Sequence, residues 1–130
     1  MSKKIAIIGA GGHGKVVGEI ALLNEYSIIN FFDDRANEIQ DYPFAIFGNL
    51  DDLKNHLDEY DDFFVAIGDN KTRSDKIIWL KKNKKNVVNL VHPKSTISKF
   101  SSFGTGICVM ANVAVNPGAH IKDGVIINTS

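Results

Sequence analysis

The sequence predicts an open parallel α/β domain over residues 1–92, followed by the first coils of a left-handed parallel β-helix over residues 93–130. Three observations predict this. Short apolar runs alternate with helix-period segments through the first two thirds of the chain. A glycine-rich stretch separates the first apolar run from the first helix. From residue 97 an apolar residue returns at every sixth position.

Ile5-Ala6-Ile7-Ile8 is a continuous apolar run closed by glycine, the pattern of a strand buried on both faces. Lys15 to Tyr26 carries Val16, Val17, Ile20, Ala21 and Leu23 at helical spacing. Ser27 to Phe32 is a second strand ending at Asp33-Asp34, so strand, helix and strand fit one βαβ unit with a right-handed crossover. Arg35 to Tyr42 is polar and reads as loop. Pro43 to Phe47 is a short strand, Gly48-Asn49 a turn, and Leu50, Leu53 and Leu57 mark a short amphipathic helix. Phe63 to Ile67 is a further buried strand closed by Gly68-Asp69-Asn70. Thr72 to Asn83 is a helix carrying Ile77, Ile78, Trp79 and Leu80, and Val87 to Val91 a last parallel strand. Such alternation argues for helices on both faces of a parallel sheet.

His92-Pro93 breaks that pattern. Ile97, Phe103, Val109, Val115, Ile121 and Ile127 then recur six apart; at 44% hydrophobic composition, six matches of six arise by chance less than about one time in a hundred. Two positions before each stand Ser95, Ser101, Ile107, Val113, Ala119 and Val125, small or β-branched. Three positions after stand Phe100, Gly106, Asn112, Gly118, Gly124 and Ser130, mostly turn-formers. Each hexad is one short strand plus a turn, and inward residues stack from coil to coil. An antiparallel meander is the plainer alternative.

Composition excludes several classes. Fifteen basic and fifteen acidic residues cancel, so no global field draws the chain to nucleic acid or a membrane surface. The run Lys81-Lys82-Asn83-Lys84-Lys85 ends a helical pattern, where cations suit the dipole. A single cysteine, Cys108, forbids an internal disulfide and makes cytoplasm the expected compartment. It adjoins inward Val109 and so points outward, with no base to activate it. No stretch approaches the roughly 18 apolar residues of a membrane span. The apolar run after Ser2-Lys3-Lys4 stops at Gly9, too early for a signal segment. No histidines or carboxylates have metal-ligand spacing, so no metal is expected.

Gly9-Ala10-Gly11-Gly12-His13-Gly14 fits G-x-G-x-x-G between a strand and a helix, the context that motif requires. Helix-start N–H groups there would face a diphosphate, as in a Rossmann-like domain; the plainer reading is a tight βα turn. The spacing also approaches a P-loop, but Val16 stands where the Mg²⁺-holding hydroxyl is needed. Asp33-Asp34 lies about twenty residues on, at a strand end, where an acid accepts from ribose or from a uracil N–H. Gly68-Asp69-Asn70 closes another strand at the same sheet edge. His13, among glycines, is expected to be exposed, as a phosphate or sugar contact or an inert loop residue. His92 reads as structural, His56 as surface, and His120 as able to reach a neighbouring subunit.

The order Ile7 to Lys15, Phe32-Asp33-Asp34, Ala66 to Asn70, His92-Pro93-Lys94-Ser95, and hexads closing on Gly124 to Ser130 resembles bacterial sugar O- and N-acetyltransferases of the sialic-acid and bacillosamine type. The resemblance covers essentially the whole chain. It implies an acetyl-CoA-dependent acetyltransferase acting on an amino or hydroxyl group of a sugar, a sialic acid or a UDP-linked amino sugar, in surface glycan synthesis. It implies a homotrimer of left-handed β-helices, with the nucleotide sugar against the N-terminal domain and acetyl-CoA between neighbouring β-helices. By motif, Gly11, Gly12 and His13 look like phosphate and sugar contacts, Asp33 and Asp34 like uridine contacts, and Gly68 and Lys71 like pocket-lining positions. The family's catalytic histidine follows the Asn-Thr-Ser segment, so no catalytic residue is expected within these 130 residues and the chain alone is expected to be inactive.

Two other readings stand beside this one: a stand-alone nucleotide or nucleotide-sugar binding module, and a nicotinamide-dependent oxidoreductase resting on G-x-G-x-x-G alone. Residues 97–130 make about two coils of eighteen, whereas repeat folds need about three and polar caps. The expectation is a truncation, or a tail that is poorly ordered or buried in an oligomer.

Overall fold

The structure is a computed structural model and describes residues 3–129. Ser2 and Ser130, which the sequence reading placed in the leading and closing segments, lie outside the described residues.

Four strands, β1 (Lys4–Ile8), β2 (Ile28–Phe32), β3 (Ala45–Gly48) and β4 (Asp62–Val65), form a parallel sheet in the order β3-β2-β1-β4. Side chains alternate across a strand, so the apolar run of β1 feeds two cores. Ile5 and Ile7 pack with Phe31 and Phe64 under helix α1 (Gly12–Leu23), through Val17, Ile20 and Ala21. Ala6 and Ile8 pack with Phe32, Phe63 and Val65 on the other face. There Leu53 of α2 (Leu50–Lys54) and Ile77 and Leu80 of α3 (Asn70–Lys82) close the layer. Asn49 begins α2 with a capping box on Asp52, and a single 3₁₀ turn, Leu57–Glu59, takes the place of the helix's expected second turn.

Beyond α3 the chain departs from expectation. Val87 to Val91 is not one strand. Val87 alone bridges Phe63, and the chain then leaves the sheet. Strand β5 (Leu90–Val91) pairs instead with β8 (Cys108–Val109). The Asn89 side chain makes the switch possible. Its amide donates to the Gly104 carbonyl at 2.9 Å, and its oxygen accepts from Ile107 N–H at 2.9 Å, imitating a strand's pairing where the backbone turns away. Val91 precedes Ile97 by six, so the period starts one hexad earlier than position 97.

The hexad segment continues as β6 (Thr96–Ile97), β7 (Ser102–Phe103), β8, β9 (Ala114–Val115), β10 (His120–Ile121) and β11 (Ile126–Ile127). Consecutive strands fall in three different sheets, β5-β8-β11, β6-β9 and β7-β10. Each pair is parallel and offset by eighteen residues, as Val91 with Val109 and Val109 with Ile127. Parallel pairing throughout the described strands excludes an antiparallel meander. All six expected inward residues join one cluster, together with Val91, Ile107, Val113 and Ala119. The turns follow the same period. Gly106, Gly118 and Gly124 have φ of 72°, 85° and 72°, and Asn112 has 63°. That left-handed region is open to Gly and tolerated by Asn, which explains the residue types three places after Phe103, Val109, Val115 and Ile121.

Cys108 corrects an expectation. It does point away from the hexad cluster, but not into water: it is fully buried beneath the α1 core beside Leu90. Burial pushes its thiol up to about 11. An aromatic disulfide reagent at mildly alkaline pH is therefore expected to leave Cys108 unmodified in the native chain and to titrate one thiol after denaturation; rapid native labelling would contradict the packing.

Candidate functional site

The glycine loop is shaped by close approach. Gly9 has φ of 107°, and a Cβ there would sit 2.7 Å from the Ala66 carbonyl oxygen. A Cβ on Gly14 would lie 2.5 Å from both the Gly9 carbonyl and the Tyr42 hydroxyl. The loop thus presses on β4, and α1 begins at Gly12, three residues before the apolar spacing suggested. Gly11 is its N-cap, no side chain caps it, and no acid stands in its first turn. The start of a twelve-residue helix is left with N–H groups suited to an anion. Tyr42 braces the loop from outside: its hydroxyl donates to the Gly11 carbonyl at 2.9 Å, and Lys15 Nζ lies 5.8 Å from its ring centre. Burial, then the Asp33 charge, pushes the Tyr42 hydroxyl up to about 12, so it remains a donor at neutral pH.

A cleft of about 350 Å³ opens over the carboxyl ends of β1, β2 and β4. Open α/β sheets bind ligands at this edge. Ile8, Gly9, Phe32 and Ile67 give it apolar walls; Asp33, Asp34, Arg35, Thr72 and Lys76 give it polar ones. Asp33 is buried with both oxygens engaged. Oδ2 accepts from Ala10 N–H at 2.8 Å and from Arg35 Nη2 at 3.0 Å; Oδ1 accepts from Arg35 N–H at 2.8 Å and Nε at 3.1 Å. Burial works to raise its pKa, but the Arg35 and Ala10 donors outweigh it and hold the carboxyl below its ordinary value. Asp34 is exposed, and its Oδ1 accepts from Leu50 N–H at 3.1 Å.

The sequence-identified residues separate here. Asp33 and Asp34 line the cleft. Gly11 flanks it, since a Cβ on Gly11 would lie 3.8 Å from Arg35 Nη2. Gly12 and Gly68 border open space. Lys71 is exposed and pairs with Asp75 at 3.2 Å; Thr72 and Lys76 of the same helix are the ones that face the cleft. His13 is not the exposed loop residue its glycine neighbours suggested. It is half-buried, and its Nε2 is shut from water with no hydrogen-bond partner among the described residues. Burial, then the charge of Arg73, lowers its pKa from 6.5, which makes the imidazole neutral at pH 7.

Arg35 and Lys76 escaped the sequence reading, which placed one in a polar loop and the other, unremarked, within the helix Thr72 to Asn83. The signal available was the Asp33-x-Arg35 spacing, which lets a guanidinium close on a carboxylate two residues back. Among the described residues Arg35 Nη1 has no hydrogen-bond partner, and it lies at the cleft mouth. The cleft lining combines two cations, Arg35 and Lys76, with two carboxylates, Asp33 and Asp34, over an apolar floor, and the uncapped start of α1 lies beside it. Among the described residues no group of three or more His, Cys, Asp or Glu could hold a metal, and no helix is long and apolar enough to cross a membrane.

Comparison with known proteins agrees with this geometry. The chain is 30% identical to the UDP-N-acetylbacillosamine N-acetyltransferase of Bacillus subtilis (strain 168), over 84% of this chain and 52% of that protein. It superimposes on the acetyltransferase domain of PglB from Neisseria gonorrhoeae FA1090, solved with acetyl coenzyme A, with TM-score 0.90 and 38% identity over 99% of this chain and 63% of that one. It also superimposes on a mutant of perosamine N-acetyltransferase from Caulobacter crescentus, solved with CoA and GDP-perosamine, with TM-score 0.87 and 32% identity over 97% and 60%. The chain thus spans about half the length of the curated relative it matches. The family model for the PglD N-terminal domain matches residues 4–80, which include every strand of the four-stranded sheet, the glycine loop and all of the cleft, and the chain belongs to that family.

Proposed function

We propose that this chain supplies the nucleotide-sugar-binding part of an acetyl-CoA-dependent acetyltransferase that acylates an amino or hydroxyl group of a UDP-sugar in surface glycan synthesis. The observation that carries this is the cleft at the carboxyl ends of β1, β2 and β4, with an uncapped α1 start and Arg35 beside it. The activities named for the relatives, the CoA and GDP-perosamine in one of them and the acetyl coenzyme A in another support the same reading. Asp33 and Asp34 orient the nucleoside, Gly11 and Gly12 offer backbone N–H groups to the phosphates, and His13 and Gly68 border the sugar, while Lys71, paired with Asp75, yields its expected place to Lys76 of the same helix.

The eighteen-residue parallel register and the periodic positive-φ turns support reading residues 93–130 as the opening of a left-handed β-helix, with residues 1–92 as the Rossmann-like unit. Acetyl-CoA is the co-substrate, held between β-helices of a cytoplasmic homotrimer. No general base is assigned within these residues. His120 is bonded to Ser102 Oγ at 2.6 Å on the far β7-β10 sheet and is not given that role.

Calorimetry of the chain with UDP, UDP-linked amino sugars and NAD tests the proposal. Binding of UDP and its sugars is expected, with NAD far weaker. Tight NAD binding without UDP binding would overturn it.

A further inference from the structure

Arg73 is 8% exposed, the most deeply buried cation among the described residues. Its neighbours on α3 that form ion pairs, Lys71 and Lys81, take Asp75 and Asp123. Among the described residues Arg73 takes no carboxylate and spends its donors on uncharged oxygens. Nε donates to the Gly124 carbonyl at 2.7 Å, Nη1 to the Ile67 and Gly68 carbonyls at 2.9 and 3.0 Å, and Nη2 to Asn70 Oδ1 at 2.6 Å. A buried charge without a counter-ion is costly, so its retention calls for a return that an apolar residue could not supply.

That return is geometric. The planar fork of a guanidinium meets acceptors in several fixed directions at once, which an ammonium cannot do. Here the acceptors belong to two pieces of chain about fifty residues apart. One is the exit of β4, where Ile67 forms a wall of the cleft. The other is a positive-φ turn of the hexad segment. The same contact is tightened by Ile77, whose Cδ1 would meet a Cβ on Gly106 at 2.9 Å and one on Gly124 at 3.2 Å. The Lys81–Asp123 ion pair lies at its rim. Arg73 is also near enough to His13 for its charge to act on the imidazole.

We propose that Arg73 is a positioning residue for the nucleotide-sugar cleft, tying the β4–α3 wall to the Gly124 turn so that the wall keeps its binding shape only while the hexad segment is docked. This rests on the reading of the cleft given above. The four hydrogen bonds of the Arg73 guanidinium carry the link.

The test compares the native chain with Arg73→Gln and Arg73→Lys, using UDP calorimetry and backbone amide NMR. Both variants are expected to bind UDP about three- to thirtyfold more weakly. Both should shift the Gly68 and Gly124 amide resonances together, with those of β1 left in place. Failure of Arg73→Lys to restore binding is part of the expectation, because it keeps the charge and loses the fork. Full restoration by lysine, unchanged UDP affinity in both variants, or a shift at Gly124 without one at Gly68 would each overturn the proposal. If Arg73→Gln does not fold, Arg73→Lys carries the comparison. If the native chain binds no UDP, the cleft reading falls, and the paired resonances still decide whether Arg73 links the two segments.

Discussion

Asp33→Ala is expected to abolish UDP binding and to destabilise the chain by about 1–3 kcal/mol through a single orphaned donor, the Ala10 N–H. That group is buried, and among the described residues its acceptor is the Asp33 carboxylate alone. The substitution also releases Arg35, whose guanidinium and backbone N–H are held by the same carboxylate. The loop that starts α1 and the cation at the cleft mouth then lose their common anchor. Asp34→Ala separates fold from binding. Asp34 is exposed and, among the described residues, bonded only to Leu50 N–H, so its loss is expected to weaken UDP binding with little change in stability. Equal destabilisation by the two variants would refute the assignment of Asp33 as the anchor.

The pH dependence follows from the same bonds. Asp33 titrates below 3.8 in the folded chain. As pH falls through that region the unfolded carboxyl takes up its proton first, so the stabilisation is complete above about pH 4 and is lost toward the lower folded value. The stability gap between the native chain and Asp33→Ala should therefore narrow in acid. Urea denaturation at neutral and at strongly acidic pH measures it, and a gap that widens in acid would contradict the sign.

Particular residues show why some of this was legible in the sequence. The inward hexad residues were readable because a three-faced parallel segment repeats one environment every six positions, and a polar residue at Val109 or Val115 would break it. The two cores were readable because β1 is apolar on both sides. Three features were not, for one physical reason: local pattern does not report what arrives from elsewhere in the chain. Cys108 was expected in water because nothing local says that α1 covers that face. Arg73 sits in the polar stretch Asn70 to Asp75, where a buried arginine looks like a solvated one. The strand expected over Val87 to Val91 was apolar enough to be continuous, but its second half found better partners in Cys108 and Val109 than in β4. Within the cleft, the acids showed themselves by position at a strand end. Arg35 and Lys76 did not, because their role depends on which way a loop and a helix turn.

Val109→Asp is expected to cost more than about 4 kcal/mol, a large part of the roughly 5–15 kcal/mol that hold a domain together. Val109 is fully buried, in register between Val91 and Ile127, with Ile107, Val113 and Val115 packed around it. An aspartate there finds no cation, and the cluster is apolar, so the carboxyl must either stay protonated or admit water into the stack. Because Leu90 and Cys108 of the paired strands also belong to the α1 core, loosening of the hexad segment reaches the α/β domain. The control is Ala114→Asp, which places the same carboxylate at an exposed position on the next strand along the chain and should stay within about 0.5 kcal/mol of the native chain. Acid should partly rescue Val109→Asp, since protonation removes the charge that the cluster cannot hold. Urea midpoints of the two variants decide the matter. Similar midpoints would mean that the inward stacking of Val91, Val109 and Ile127 is not what holds the segment, and the six-residue period would lose its physical explanation.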